Sequence, residues 1–445
     1  MSIFKAYDIR GIYPKELNEK IAFKIGKAFG TFNPGKIVVG SDARLSSPPL
    51  KNEFIKGLLS TGADVMDIGL SSTPMLIVST KLLNCDGGVA ITASHNPKEY
   101  NGFKFYDKNA IAISFDDGIK KIKEIFDKRK FSKGKGSVVK KDIMDEYINF
   151  LLKKAKIKKL VNLKIVTDTA NGAAGPIYKK IFKKLGMSFF GLYMEPDGNF
   201  PNHDPDPSKK ENLIDLQKKV LDTHADVGFA VDGDGDRLAV IDENGKIIEP
   251  YLIFSVLIEN KLKENPKSKI IYEVLTSKSI DNTIRRNYGI PVVCRVGHTY
   301  ISQKMIEEGA ALGGELSGHY FFEETFGEDN ALFAILKLID YLSRTNKKIS
   351  EVVKHYPKYF YESMRVPIKE SEKISFIENL KNELKNEGYE IDFLDGVKIK
   401  FKGGWANLRP SNTESKISIA YEGFNEKSFV DIKKFVEDII KKIPR

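Results

Sequence analysis

Lys36-Ile-Val-Val-Gly40 is a short β-branched run, and the chain repeats its form at Lys164-Ile-Val-Thr-Asp168 and Lys269-Ile-Ile-Tyr-Glu273. Each run leads into a helix-compatible stretch and then a glycine opening a second apolar run: Gly62 (GADVMDIGL), Gly186 (GMSFFGLYM) and Gly289 (GIPVVCRVG). The spacings are 26, 22 and 20 residues, enough for one helix and two turns each time. A third strand-like run completes every unit: Gly88-Val-Ala-Ile-Thr92, Val227-Gly-Phe-Ala-Val231 and Gly309-Ala-Ala-Leu-Gly313. Strands that alternate with helices in this way build β-α-β units. The expected fold is therefore three related α/β domains with mixed, largely parallel sheets.

The joints and the C-terminal part complete the outline. Asp142 suits the N-cap of an amphipathic helix running to Ala155, with apolar residues at 143, 144, 147, 148, 151 and 152. Pro250 marks a second joint, and the pattern changes past His355-Tyr-Pro357. Beyond it, Met364–Ile368 reads as a strand and Ser371–Asn386 as a helix. Tyr389–Leu394 and Val397–Lys402 read as a hairpin around Asp395-Gly396. Lys416–Tyr421 and a helix near Ser428–Ile443 complete a smaller α+β domain. The expected divisions are 1–140, 141–250, 251–356 and 357–445.

Composition excludes several classes. With 445 residues and 41% hydrophobic content the chain can bury ordinary cores, so it is not disordered, collagen-like or disulfide-stapled. The net charge of +11 is spread along the chain, and its densest stretch, Lys120 to Lys141, reads as a solvated helix face and linker rather than a nucleic-acid patch. Cys85 and Cys294 are the two cysteines, far apart in sequence, which fits a reducing compartment. MSIFKAYDIRG shows no signal-peptide core, and runs such as Tyr251–Ile258 and Ala331–Leu336 are too short to span a bilayer. A soluble cytoplasmic protein is expected, with no membrane or nucleic-acid partner.

The chemistry lies in the loops that leave each third run. These loops are Thr92-Ala-Ser94-His-Asn-Pro97, Asp232-Gly-Asp234-Gly-Asp236-Arg237 and Gly314-Glu315-Leu-Ser317-Gly-His319. Ligands of open α/β sheets sit beyond the carboxyl ends of strands, so three polar loops at equivalent strand ends point to one shared cleft. Asp232, Asp234 and Asp236 are three hard oxygen donors, suited to Mg²⁺ or Ca²⁺ rather than zinc. An EF-hand is excluded because Arg237 stands where that loop needs glycine. Ser94 lies at a strand-to-loop switch; His95 adjoins it, but neighbouring side chains usually diverge and no Ser–His pair is implied. Arg409, Ser411, Asn412 and Thr413 combine a guanidinium fork, hydroxyls, an amide and backbone N–H groups, which is phosphate-binding chemistry. No G-K-[ST] tripeptide occurs, so there is no P-loop. Glu315 and Ser317 suit adjacent sugar hydroxyls.

Taken in order, Ala6-Tyr-Asp-Ile-Arg10-Gly11, Thr92–Pro97, Asn101-Gly-Phe-Lys104, Asp232–Arg237, Gly314–His319 and Arg409–Thr413 resemble the α-D-phosphohexomutase family. The resemblance spans the chain and implies four domains around a central cleft. It implies that Ser94 is the phosphoserine of the resting enzyme. The three aspartates would bind Mg²⁺ together with a phosphoserine oxygen. Tyr7, Arg10, Lys104, Arg237 and His298 would surround the transferring group, with Lys104 and His298 handling protons. Glu315 and Ser317, with His319, would contact the sugar, and Arg409–Thr413 would grip the phosphate that is not reacting. The implied reaction interconverts hexose 1-phosphate and hexose 6-phosphate through a hexose 1,6-bisphosphate. Glu-Leu-Ser and Gly404-Trp405 are similar to the mannose/glucose type, and phosphoglucosamine is the alternative substrate. Some members have a lysine after the third domain's first strand, where this chain reads Glu273-Val-Leu275-Thr276. The rival classes are an Mg²⁺-dependent phosphatase and a cation- or polyanion-binding protein. Oligomeric state is left open.

Overall fold

In the computed structural model, which describes residues 3–157, 163–411 and 415–444, each Lys-initiated run is an interior strand of its own sheet. Lys36–Ser41 lies between Asp64–Leu70 and Gly87–Ile91, parallel to both. Lys164–Asp168 lies in the same way between Ser188–Leu192 and Val227–Val231. Lys269–Glu273 repeats the arrangement between Ile290–Cys294 and Leu312–Gly314. β-Branched residues on both faces are what a strand covered on both sides needs.

After its third strand each sheet adds an antiparallel return strand: Tyr100–Asp107, Leu238–Asp242 and Tyr320–Phe322. The three polar loops are the connections into these return strands, so one topological event places all three. The first sheet gains Ile9–Ile12 and Val138–Lys140 at its edges, the second Ile247–Ile248 and the third Glu328–Asp329. Val138–Lys140 falls inside the lysine-rich stretch; before it, the helix Lys120–Lys128 buries Ile122 and turns its lysines outward.

The fourth domain is an antiparallel sheet of Phe360–Pro367, Lys416–Gly423, Gly404–Pro410, Val397–Phe401 and Glu390–Asp392, backed by the helices Lys373–Asn386 and Glu426–Lys441. Its core of Ile377, Leu408, Ile419 and Val436 is its own. One other core is continuous through the first three domains, from Val38, Met75 and Tyr147 through Ile165 and Phe229 to Phe254 and Leu336. The helix Ala331–Thr345, buried over nearly its whole length, runs through it and pairs its few charged groups, Arg344 with Asp340 and Lys337 with Glu264.

Several expected boundaries move. The third repeat's third strand starts at Leu312, because Gly309 caps the preceding helix with φ +58, a left-handed conformation that glycine adopts without steric cost. Ile143, not Asp142, occupies the N-cap position of Met144–Ala155; Asp142 instead accepts the Met144 N–H at 2.9 Å. The C-terminal helix starts two residues early, capped by Asn425. The hairpin's first strand is only Glu390–Asp392, because its connection occupies residues 393–396 rather than two.

Candidate active site

Asp232, Asp234 and Asp236 are buried, and one carboxylate oxygen from each lies within 4.8 Å of the others. Asp232 Oδ1 accepts the backbone N–H groups of Gly235, Asp236 and Arg237 at 3.0 to 3.2 Å, which curls the loop. Its other oxygen accepts the Ser94 hydroxyl at 2.6 Å, joining the first domain to the second. Thr73, on the helix Thr73–Leu82, donates to Asp234 at 2.6 Å. The buried Lys104 ammonium, on the return strand, reaches Asp234 at 2.9 Å and Asp236 at 2.6 Å. Burial opposes that charge, but the two carboxylates outweigh it and hold the lysine protonated. Burial and the Asp236 and Asp234 charges hold the Asp232 carboxyl well above the usual range.

Ser94 has φ +52, a left-handed conformation costing about 1 kcal/mol for a non-glycine residue. That conformation abolishes the alternation expected of extended backbone, and His95 Nδ1 comes to 3.2 Å from Ser94 Oγ, a pairing the sequence did not imply. Burial, then Arg237 and Arg10, hold His95 neutral. Arg10 is occupied by Asp8 at 2.5 Å and Asn96 at 2.6 Å.

In the third domain Glu315 Oε2 accepts from Ser317 at 2.9 Å and from His319 Nδ1 at 2.8 Å, while Glu315 Oε1 accepts the Gly297 N–H. His319 Nε2 lies 3.2 Å from Asp236 Oδ1, so its ring joins the Glu315 loop to the acidic loop. Burial opposes its charge, but Asp236 and Glu315 raise its pKa to about 10. His298 stacks on it at 5.9 Å and meets Tyr7 edge-on at 5.5 Å. Burial, with the Lys104 and His319 charges, lowers His298 to about 4, so this imidazole is neutral at pH 7.

Arg409 is buried, its Nε 3.0 Å from Asp395 Oδ1. Asp395 Oδ2 accepts the Val296 N–H at 2.9 Å, and the Val296 carbonyl accepts the Tyr7 hydroxyl at 3.1 Å. The dipeptide Val296-Gly297 is thus where Tyr7, Glu315 and the Arg409–Asp395 pair meet. Ser411 comes just after the arginine strand and is buried; Asn412 and Thr413 lie outside the described residues. Glu273 accepts the Leu316 N–H at 2.9 Å, and burial with the Glu315 charge pushes its carboxyl up to about 8. Sequence reasoning missed Thr73, Asp395 and Glu273 as site residues. Thr73 was the most findable, in a Ser-Ser-Thr-Pro run that reads as a strand end entering a helix.

Known proteins share this organisation. Four family models match in order: phosphoglucomutase/phosphomannomutase alpha/beta/alpha domain I over residues 1–133, domain II over 145–245, domain III over 249–359 and the C-terminal domain over 364–439. This chain belongs to the phosphoglucomutase/phosphomannomutase family. The phosphomannomutase/phosphoglucomutase of Pseudomonas aeruginosa is 36% identical over 99% of this chain and 96% of its own length. The phosphomannomutase of Methanocaldococcus jannaschii is 37% identical over 100% of this chain and 98% of its own. A crystal structure of a family protein from Burkholderia thailandensis superposes with a TM-score of 0.92 at 33% identity, covering 99% of this chain and 97% of that one. No helix among the described residues is long and apolar enough to cross a membrane.

Proposed function

We propose that the protein is an isomerase that interconverts hexose 1-phosphate and hexose 6-phosphate, of mannose or glucose, by way of a phosphorylated Ser94 and a hexose 1,6-bisphosphate. The observation that carries this reading is the Ser94 hydroxyl, buried and 2.6 Å from a carboxylate of the acidic loop. The loop fits a divalent cation: three carboxylates converge, and Asp234 Oδ1 is buried with no hydrogen-bond partner. Asp232, Asp234 and Asp236 would hold Mg²⁺ with an oxygen of the phosphorylated serine, where the ion would draw charge from the transferring group.

The chain's own groups do the rest. Phosphoryl transfer needs positioning and charge neutralisation more than covalent help. Lys104, protonated and buried, and Arg237 supply fixed positive charge beside Ser94; Arg10 lines the same loop. The Ser94–phosphorus bond breaks as the free sugar hydroxyl bonds to phosphorus, and one proton moves from that hydroxyl to the serine oxygen. The neutral His298 suits the acceptor role better than Lys104, whose partners hold it protonated. Tyr7 orients His298 by ring contact. Glu315, Ser317 and His319 hold sugar hydroxyls, while Arg409 and Ser411, with Asn412 and Thr413, hold the distal phosphate. The bisphosphate then turns end for end, and the second transfer restores Ser94. Water has to be excluded throughout, which closure of the fourth domain achieves.

The domain divisions we adopt are 1–140 with the serine loop, 141–250 with the acidic loop, 251–356 with the sugar loop and 357–445 with the phosphate loop. Two free cysteines, both buried, suit a cytoplasmic protein. The test is turnover of mannose 1-phosphate, glucose 1-phosphate and glucosamine 1-phosphate with Mg²⁺ and a trace of glucose 1,6-bisphosphate. Conversion of either of the first two to its 6-phosphate is expected. Accumulation of inorganic phosphate in place of the 6-phosphate would make the protein a phosphatase.

A further inference from the structure

Arg44 is a fully buried arginine with no part in the transfer chemistry proposed for Ser94. A guanidinium carries five N–H donors in a rigid fork. Here Nε donates to Asp42 at 3.0 Å, Nη1 to the carbonyls of Pro97 at 2.7 Å and Tyr100 at 3.2 Å, and Nη2 to those of Ser94 at 2.8 Å and Asn96 at 2.6 Å. Every donor is used, and four of the five go to backbone carbonyls of one seven-residue stretch that begins with the serine. A buried backbone carbonyl left without a donor is destabilising, so these four bonds hold the loop in place.

Asp42, the arginine's ion-pair partner, holds the residue that leads into the loop. It accepts the Thr92 hydroxyl at 2.8 Å, and Thr92 Oγ1 in turn accepts the Ser94 N–H at 2.8 Å. The peptide groups on both sides of Ser94 are therefore held: its N–H through Thr92, its carbonyl by Arg44. This is what a left-handed serine needs, because nothing in its own conformational preference keeps it there.

The second domain covers the assembly. The Phe200 ring lies 5.1 Å from the Arg44 guanidinium carbon. Gly198 packs so closely on residues 43–45 that a Cβ there would stand 2.4 Å from the Leu45 nitrogen and 2.5 Å from the Ala43 carbonyl oxygen. The domain that supplies the acidic loop thus also seats the arginine that holds the serine.

We infer that Arg44 is a positioning residue for phosphoryl transfer: it clamps the Ser94–Tyr100 loop in the strained conformation that aims Ser94 Oγ at Asp232. The inference rests on Ser94 being the phosphoryl carrier. Arg44 commits every donor to Asp42 and the loop carbonyls and has none left for sugar or phosphate, so its loss acts on the transfer step and leaves sugar binding, which we place on the third and fourth domains, unchanged. A lysine keeps the charge but has no fork to reach four carbonyls.

The test is Arg44→Lys, confirmed as folded by circular dichroism and thermal unfolding. Phosphoryl uptake by Ser94 from labelled glucose 1,6-bisphosphate and kcat should fall together by about 10- to 100-fold, because small misplacements of a reacting group cost that much. KM for sugar phosphates should stay within about twofold, since uniform binding is untouched. Undiminished uptake and kcat would overturn the inference. If Arg44→Lys does not fold, Thr92→Val, which removes the link between Asp42 and the Ser94 N–H without changing volume, decides by the same readout: slower uptake at unchanged KM supports the clamp, unchanged uptake overturns it. Ser94→Ala run alongside separates the two claims. Full activity there would remove the phosphoserine reading itself, whereas an inactive Ser94→Ala beside a fully active Arg44→Lys would remove the clamp alone.

Discussion

The two ends of the site, the serine end around Ser94 and the end around Arg409 that we propose holds the distal phosphate, are built in opposite ways. At the serine end, loops from three domains interlock: Ser94 on Asp232, Thr73 and Lys104 on Asp234, His319 on Asp236. Beneath them lies one continuous apolar core shared by all three domains. At the phosphate end, Arg409 belongs to a domain with a separate core. That domain meets the third across a polar seam: Asp395 on the Val296 N–H, Glu422 on the Lys278 N–H and Lys398 on the Val274 carbonyl. Shared cores resist relative motion because a well-packed interior has no room to slide, whereas a seam of hydrogen bonds can be exchanged for water at small net cost. Under the proposed mechanism the difference suits the two ends to different tasks. Transfer requires fixed geometry, and turning an intermediate around requires a wall that can open.

The sharpest way to break this division is at the serine end. Under the proposed mechanism Ser94→Ala removes the phosphoryl carrier, so mutase activity should fall at least about a thousandfold with the fold retained. Asp234→Asn removes one anionic ligand and weakens the hold on Lys104. Mg²⁺ should bind more weakly and kcat drop on the order of a hundredfold, measured by titrating Mg²⁺ into EDTA-treated enzyme. If EDTA-treated protein turns over undiminished, the carboxylates are only a structural turn.

At the phosphate end the expected effects are smaller and of another kind. Arg409→Ala should raise KM for every sugar phosphate about tenfold or more, the worth of a charge-assisted bond, and release more bisphosphate. Asp395→Asn, isosteric, should do the same to a lesser degree, because the guanidinium loses its ion pair. If either variant lowers kcat alone and leaves KM and bisphosphate retention unchanged, the clamp does not belong to a mobile wall.

The smallest effect concerns Glu273, at the strand end beneath the Glu315 loop. Glu273 has its carboxyl raised from 4.5 to about 8 by burial and Glu315. A raised acid binds more protons folded than unfolded, so its contribution to stability falls as pH rises from about 4.5 to 8. Glu273→Gln keeps an oxygen for the Leu316 N–H and removes the charge. Thermal unfolding should therefore show the variant stabilised relative to the parent at pH 8 and close to it near pH 5. An equal difference at both values would show that Glu273 is not the titrating group.

Legibility in the sequence divides along the same line. The three β-branched runs and their trailing polar loops are local patterns, and they locate Ser94, the three aspartates and Glu315 at strand ends. The return strands are not readable as such: that Lys104 faces Ala90 and reaches the acidic loop is a matter of register. Arg44 and Thr73 look like ordinary loop and helix-start residues until the carbonyls and carboxylates they serve are assembled around them. Gly309 reads as strand because its neighbours are apolar, while its role is to end a helix. Asp395 reads as a turn residue, which it is; its second task depends on a domain seam that no local pattern encodes.

Both ends of the site have a function only if Ser94 carries the phosphoryl group. The direct measurement is to incubate the protein with Mg²⁺ and phosphorus-labelled glucose 1,6-bisphosphate, digest it, and locate the label by peptide mass spectrometry. The predicted result is label on the peptide containing Ser94, transferred to sugar when unlabelled glucose 1-phosphate is added. A protein that interconverts the hexose phosphates at full rate with no label on Ser94 would contradict it.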